Sequence, residues 1–345
     1  MVLDSLGMFD AVAATPEHLV IAADAASQAL DEVELPAHED IADVLVLGAG
    51  VAGQAAALLV EVAGPLMAVP VVVQRGHGAP NFVDATTLAV AISPDGDTEE
   101  TVEAARAAVD DGARLLCVSR GGELARLAAD AGGAHLEAVP EVPTERVALG
   151  ALAVPALLAF ERLGFYPGGR TWIDAAASQL ARRRDALITE DNLARRLARR
   201  LGRTFPIVYG GDGLGGLAAL RWKSQFNTNA KVAAFAGSVP ELTHDEVCGW
   251  GQDGDVTRQV FQLFVLRHGF EHPQVARRLT VLQDMLDEVV GAVHTVEAEG
   301  DGALAQLLDL VLVGDLTSLH AAAEQGVDPG PVPVLAEIRE RAGAL

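Results

Sequence analysis

The chain has 345 residues, half of them apolar, enough for two domains of ordinary size with real cores. A formal net charge of −23 argues against a nucleic-acid partner, which needs basic faces. No basic region followed by an apolar stretch opens the chain, so no signal peptide is expected, and no apolar run is read as membrane-spanning; the two cysteines, Cys117 and Cys248, make neither a disulfide framework nor a zinc pattern and fit a reducing cytoplasm.

Residues 22–30 read as an amphipathic helix. The aliphatic run 43–47 follows and ends at Gly48-Ala49-Gly50-Val51-Ala52-Gly53, with an apolar helix over 54–62. Strand, glycine turn and helix open a parallel α/β unit. The glycines spell G-x-G-x-x-G, a pattern able to cradle a dinucleotide pyrophosphate. The second run, 69–73, ends in Gln74-Arg75 and lacks the acidic residue that reading wants, although Arg75 suits a 2′-phosphate. The third run, 88–92, ends in Ser93-Pro94-Asp95-Gly96-Asp97-Thr98, where a helix opens with Thr98 as its expected N-cap. The fourth, 114–118, ends in Ser119-Arg120-Gly121-Gly122, and a fifth is 134–138. Loops at these strand ends share one edge of a parallel sheet, where the binding crevice is expected.

A helix over 146–163 leads to the turn Gly164 to Gly169, taken as the boundary between domains 1–168 and 169–345. One long Arg-rich helix is expected over 174–200. The second half repeats the pattern, with strands at 205–209, 232–235, 259–265 and 292–296, and helices at 273–288, 303–325 and 332–345. Its centre is Arg221-Trp222-Lys223, then Asn227, Asn229 and Lys231, followed by Glu241, His244 and Gly249-Trp250. Lys223 and Lys231 are the only lysines in a chain that otherwise uses arginine, which points to amine chemistry or a compact point charge there, against a surface helix with incidental lysines.

In the order and spacing of that cluster the chain resembles the bifunctional phosphoglucose/phosphomannose isomerases, nearly end to end. The resemblance implies two sugar isomerase (SIS) type α/β/α sandwich domains with parallel sheets. It also implies an aldose–ketose isomerase of hexose 6-phosphates: the ring opens and a proton moves between C1 and C2 through an enediolate, without metal or cofactor. The family's histidine matches His244 and its enediolate-stabilising arginine matches Arg146. Its C-terminal lysine corresponds to Arg341. The histidine comes from the partner subunit, so a homodimer with a shared site is implied. Gly48, Gly50, Ser93, Asp95, Thr98, Ser119, Arg120 and Lys223 are the expected ligand-binding positions, and no metal site is expected.

The departures matter as much. Where the family has its glutamate base, sixteen residues before the histidine, this chain has Thr228. A threonine hydroxyl is not a base at neutral pH without an activator. Asp95 and Asp97 replace a serine and an asparagine of the phosphate loop, Val51-Ala52 replaces a serine, and Arg120 replaces another. Glu241 or Glu246 is a candidate replacement base, and Arg120 a candidate replacement phosphate ligand; His244 and Arg146 also admit structural roles. Two functions therefore stand side by side: an isomerase working with altered groups, and a catalytically silent SIS protein that binds a sugar phosphate or nucleotide sugar in a regulatory or scaffolding role. A nicotinamide-dependent enzyme, resting on the glycines alone, ranks last.

Overall fold

Aliphatic runs that bury both faces become parallel strands, because helices must cover each side of the sheet they form. The computed structural model describes residues 3–137 and 139–343. In chain order its elements are α1 (Met8–Ala13), α2 (Thr15–Glu32), β1 (Asp43–Leu47), α3 (Gly50–Val62), β2 (Val71–Gln74), β3 (Thr87–Ile92), α4 (Glu99–Asp110), β4 (Arg114–Val118), α5 (Gly122–Ala131), β5 (Ala134–Leu136), α6 (Leu149–Arg162) and α7 (Gly169–Leu187). There follow α8 (Leu193–Leu201), β6 (Phe205–Gly211), α9 (Leu214–Gln225), β7 (Phe235–Val239), α10 (Gly254–Val260), β8 (Phe261–Arg267), α11 (Pro273–Leu286), β9 (Val293–Glu297), α12 (Ala303–Glu324) and α13 (Pro333–Gly343).

Two units share the chain, one formed by Ala14–Ala181 with Glu299–Leu308, the other by the segment up to Ala13, Arg182–Ala298 and the chain from Asp309 on. The division expected at 168 and 169 falls at the first turn of α7, whereas the units change over at Ala181 and Arg182. The first unit holds a five-stranded parallel sheet of order β2-β1-β3-β4-β5. Leu45, Leu47, Ala89, Ala91, Leu115 and Cys117 point to one face, where Ala104, Ala105 and Ala108 of α4 and Leu124 and Ala128 of α5 cover them. α3 packs on α6, and α6 on α2. The second unit holds a four-stranded parallel sheet of order β7-β6-β8-β9. Ile207, Tyr209, Leu263 and Val265 meet Leu279, Leu282 and Leu286 of α11. The two expected α/β sandwiches are thus present.

In each sheet the order reverses between the first strand and its central neighbour, at β1/β3 and at β6/β8. Such switch points open a crevice at the carboxyl ends of the strands. The loops Gly48–Gly50 and Ser93–Thr98 both leave the β1/β3 switch point.

Three expectations are corrected. The single helix over 174–200 is two, α7 and α8, because the Asn192 side chain accepts the Arg195 N–H at 2.8 Å and caps a new helix. The strand expected at 232–235 begins at Phe235, after Lys231 turns the chain through a left-handed φ of 57°. One apolar run does reach spanning length: α12 is long and apolar enough to cross a membrane, but 83% of its apolar window is buried inside the protein, as in a core helix. The remaining ends move by a few residues; Ala138 of the fifth strand and the last two residues of the final helix lie outside the described residues.

Candidate active site

At the β1/β3 switch point the backbone comes close to itself. A Cβ on Gly48 would lie 2.9 Å from the Ala52 carbonyl, and one on Gly53 would lie 2.8 Å from the Gly48 oxygen. Gly50 has φ 57° at the first position of α3. These glycines set a strand-to-helix turn whatever ligand it serves.

The neighbouring loop is closed on itself. Ser93 is fully buried, and its hydroxyl donates to Asp95 Oδ1 at 3.1 Å while accepting the N–H groups of Gly96 (3.1 Å) and Thr98 (3.4 Å). Asp95 Oδ1 also takes the Asp97 N–H at 3.0 Å. Asp97 Oδ1 reaches across to the Glu123 N–H at 2.8 Å, at the start of α5. Thr98 occupies the N-cap position of α4 as expected, but its hydroxyl pairs with Ser93 Oγ at 2.8 Å and caps nothing. The Arg120 N–H donates to Pro94 O at 3.2 Å, Leu124 N–H to Gly96 O at 3.0 Å and Gly121 N–H to Ser119 Oγ at 3.3 Å. Each of these backbone donors therefore already has an acceptor from its own chain. Free N–H groups at a helix start are what hold a phosphate, and here the Asp97 carboxylate takes one such donor while Asp95 takes a loop N–H.

Arg120 is exposed and its Nε donates to Pro94 O at 3.3 Å, so its fork lies over the loop it would have to serve. Ser119 Oγ donates to Gly121 O at 2.8 Å and pairs with His135 Nε2 at 2.9 Å. Arg146 sits in a short 3-10 turn, Glu145–Val147, half-buried, with Nη1 donating to Thr144 Oγ1 at 3.1 Å.

In the second unit the motif divides into structural and accessible residues. Arg221 grips Asp315 with two bonds, 3.0 and 2.7 Å, and both side chains are nearly sealed from water. Trp222, fully buried, donates its Nε1–H to Leu310 O at 2.8 Å and packs against Phe226 and Phe264. Asn229 Nδ2 donates to Ser318 Oγ at 2.9 Å. All three fasten α9 and the turn after it to α12. That turn, Phe226–Ala230, is a single π-helical turn, a local widening frequent at functional sites. It carries Thr228, whose hydroxyl donates to Ser224 O at 2.8 Å, with Gln225 Oε1 at 3.2 Å. A hydroxyl whose proton is held by a helix carbonyl offers no base.

Lys223 points elsewhere. With Phe235, Glu246, Trp250 and Phe261 it lines a cavity of about 420 Å³, and its ammonium has no partner among the described residues. Glu246 accepts a short hydrogen bond from the Tyr209 hydroxyl, which in turn accepts the Trp250 Nε1–H at 3.3 Å. Burial, then the Glu246 bond, holds the Tyr209 phenol well above the usual range, so it stays a donor. This chain ties the turns at 241–250 to β6. Glu241 and His244 are exposed on those turns, joined through the backbone by His244 N–H to Glu241 O at 2.9 Å, and neither side chain has a partner among the described residues. Arg341 is exposed on α13 and pairs with Glu337 one turn earlier.

The structure thus gathers Gly48, Gly50, Ser93, Asp95, Thr98, Ser119 and Arg120 at the carboxyl edge of the first sheet, with Arg146 in the same unit. Lys223, Thr228, Glu241, His244 and Arg341 belong to the other. Sequence reasoning did not mark His135 or Tyr209. Their roles depend on pairing across strands: Cys117 is in register with His135 on β5, which brings that strand beside Ser119.

Residues 190–341 match the model of the bacterial phospho-glucose isomerase C-terminal SIS domain. The bifunctional phosphoglucose/phosphomannose isomerase of Caldicellulosiruptor bescii is 31% identical over 298 residues, covering 85% of this chain and 87% of that protein. The protein of the same name from Thermoplasma acidophilum is 27% identical, covering 87% and 89%. Among solved structures, tagatose-6-phosphate ketose/aldose isomerase from Escherichia coli superposes with a TM-score of 0.70 at 14% identity, covering 93% of each chain, a likeness of fold. Two parallel α/β sandwiches, the fastened Arg221-Trp222 helix and the exposed His244 turn accord with that likeness, and the chain belongs to the bifunctional phosphoglucose/phosphomannose isomerase family.

Proposed function

We propose that the chain is a sugar-phosphate isomerase-like protein whose substrates are the 6-phosphates of glucose, mannose and fructose. The observation that carries the proposal is 31% identity across 85% of the chain to a bifunctional phosphoglucose/phosphomannose isomerase; Arg146 and His244 stand where the resemblance puts the family's arginine and histidine. In this reading His244, exposed and without a side-chain partner among the described residues, handles the ring-opening proton. Glu241, on the same turn, takes the C1/C2 proton in place of residue 228, and the Arg146 guanidinium stabilises the enediolate. The working unit is a cytoplasmic homodimer in which His244 serves the partner's site. Both cysteines being free thiols supports a reducing compartment.

A second reading is favoured by two specific observations. The Thr228 hydroxyl is spent on Ser224 O, and Asp95 and Asp97 take donors that a phosphate would need. On that reading the chain binds a sugar phosphate or nucleotide sugar without turning it over. A coupled assay with the three hexose 6-phosphates, run beside calorimetry, separates the two. Turnover abolished by His244→Ala establishes the isomerase. Binding without turnover establishes the silent protein. Neither binding nor turnover removes hexose 6-phosphates as ligands altogether.

A further inference from the structure

At the amino edge of the second sheet a cleft of about 570 Å³ opens beside the start of β6. Its walls are the end of α8 with the turn Gly202–Thr204, the segment Lys231–Ala233, and the end of α12 at Glu324 and Gln325. Three cations, Arg199, Arg203 and Lys231, line it with one carboxylate, Glu324, and Lys231 also acts on the Asp328 carboxylate beside it. In a chain of net charge −23 that local balance is an exception.

Arg203 is exposed and has no hydrogen-bond or ion-pair partner among the described residues, so its guanidinium fork is available. Arg199 is held toward Glu324 at 3.4 Å. Lys231 is the one non-glycine residue with positive φ among the described residues, at 57°. Strained backbone of this kind persists where the surroundings enforce it, often at a ligand site. Its ammonium donates to the carbonyls of Thr228 and Pro329.

Two of the opposing carbonyls already have donors. Leu201 O, at the end of α8, accepts the Thr204 hydroxyl at 2.6 Å, and Gly202 O accepts Gln325 Nε2 at 3.4 Å. At the mouth stands the Phe205 ring, 40% exposed although it opens a central strand. What the cleft offers a ligand is therefore the Arg203 guanidinium fork and the Phe205 ring, the Lys231 ammonium being held by its two carbonyls. A fork matches phosphate oxygens two at a time, and an aromatic ring stacks on the π-face of a base. The volume lies within the range of small-molecule sites, roughly 300–1,000 Å³.

We propose that this cleft is a binding site for a nucleoside phosphate, its phosphate on Arg203 and its base against Phe205. The site is built wholly from the second unit and stands whether or not hexose phosphates are turned over. The test is calorimetry of the full chain with AMP at low salt, with inorganic phosphate and adenosine as the two halves of the probe. AMP is expected to bind more tightly than either half and more weakly as salt rises. Arg203→Glu should weaken AMP by at least about tenfold, about 1.4 kcal/mol. Phe205→Ala should weaken AMP while leaving inorganic phosphate unchanged. Both side chains are exposed, so neither change should threaten folding. AMP failing to bind the unaltered chain at millimolar concentration overturns the proposal. So does AMP binding that both variants leave intact. Phosphate binding as tightly as AMP overturns the nucleoside part of the assignment.

Discussion

The loop Ser93–Thr98 gives the sharpest test. Replacing Asp95 by Ser and Asp97 by Asn keeps short polar acceptors for the Ser93 hydroxyl and the Glu123 N–H while removing both charges. A hexose phosphate dianion competing for the same donors would sit about 4 Å from each carboxylate. In bulk-water dielectric each dianion–carboxylate pair costs about 2 kcal/mol, so the two together cost about 4. Both side chains are exposed, and physiological salt, with a Debye length of about 8 Å, reduces the sum to about 2 kcal/mol. That corresponds to roughly a thirtyfold gain in affinity for the double variant. Titration calorimetry with glucose 6-phosphate at low and physiological salt measures it, and the gain should shrink as salt rises. A double variant that binds no tighter than the unaltered chain, within about twofold, would refute the argument that these carboxylates occupy the phosphate's place. Tight binding by the unaltered chain would refute it equally.

Thr228→Glu should introduce measurable isomerisation, since a positioned base is worth about 10²–10⁴-fold and the turn that carries it is fastened by Asn229 and Trp222; a variant that folds, binds sugar phosphate and remains inert places the deficit in the loop. Gly314→Ala would put a Cβ 2.3 Å from the Trp222 ring, an overpacking with a lost hydrogen bond that should cost about 3 kcal/mol; a melting temperature unchanged within about one degree would contradict the α9–α12 packing. Burial, then Arg195, pushes the His320 imidazole down to about 4. The unfolded chain therefore takes up that proton first, and stability that is complete above about pH 6.5 should fall as pH drops toward 4. Urea midpoints should show His320→Gln flattening this part of the pH profile, and parallel profiles for the two proteins would exclude His320 as the cause.

Much of the fold was legible because parallel strands, buried on both faces, write themselves as uninterrupted aliphatic runs such as Val44 to Leu47 and Leu88 to Ile92. Where a strand is less apolar, as in Phe235-Ala236-Gly237-Ser238-Val239, the start was misplaced, since the left-handed turn at Lys231 leaves no mark in composition. The break between α7 and α8 was written in Thr189-Glu190-Asp191-Asn192, but amphipathic arginines on both sides masked it. In the site, residue identity pointed to repulsion by Asp95 and Asp97. It did not show that these side chains take the backbone donors, which depends on two loops meeting in space. The same holds for Arg221 and Trp222. Their place in the motif carries the family resemblance, yet their partners Asp315 and Leu310 lie far along the chain on α12, and their work is to hold a helix in place.

The meeting of those two loops bears on how such a sequence can drift. A Cβ on Gly96 would fall 1.9 Å from the Gly121 carbonyl oxygen, and one on Gly122 would fall 2.5 Å from Asp95 O. Backbone against backbone has no side chain that can give way, so any residue larger than glycine must part the loops. The exposed side chains between them face no such barrier. Selection for mere foldability would therefore keep Gly96 and Gly122 long after selection for turnover had lapsed, while positions 95, 97 and 120 wandered. In a newly met relative, the glycines report ancestry and only the residues between them report whether an anion is still welcome.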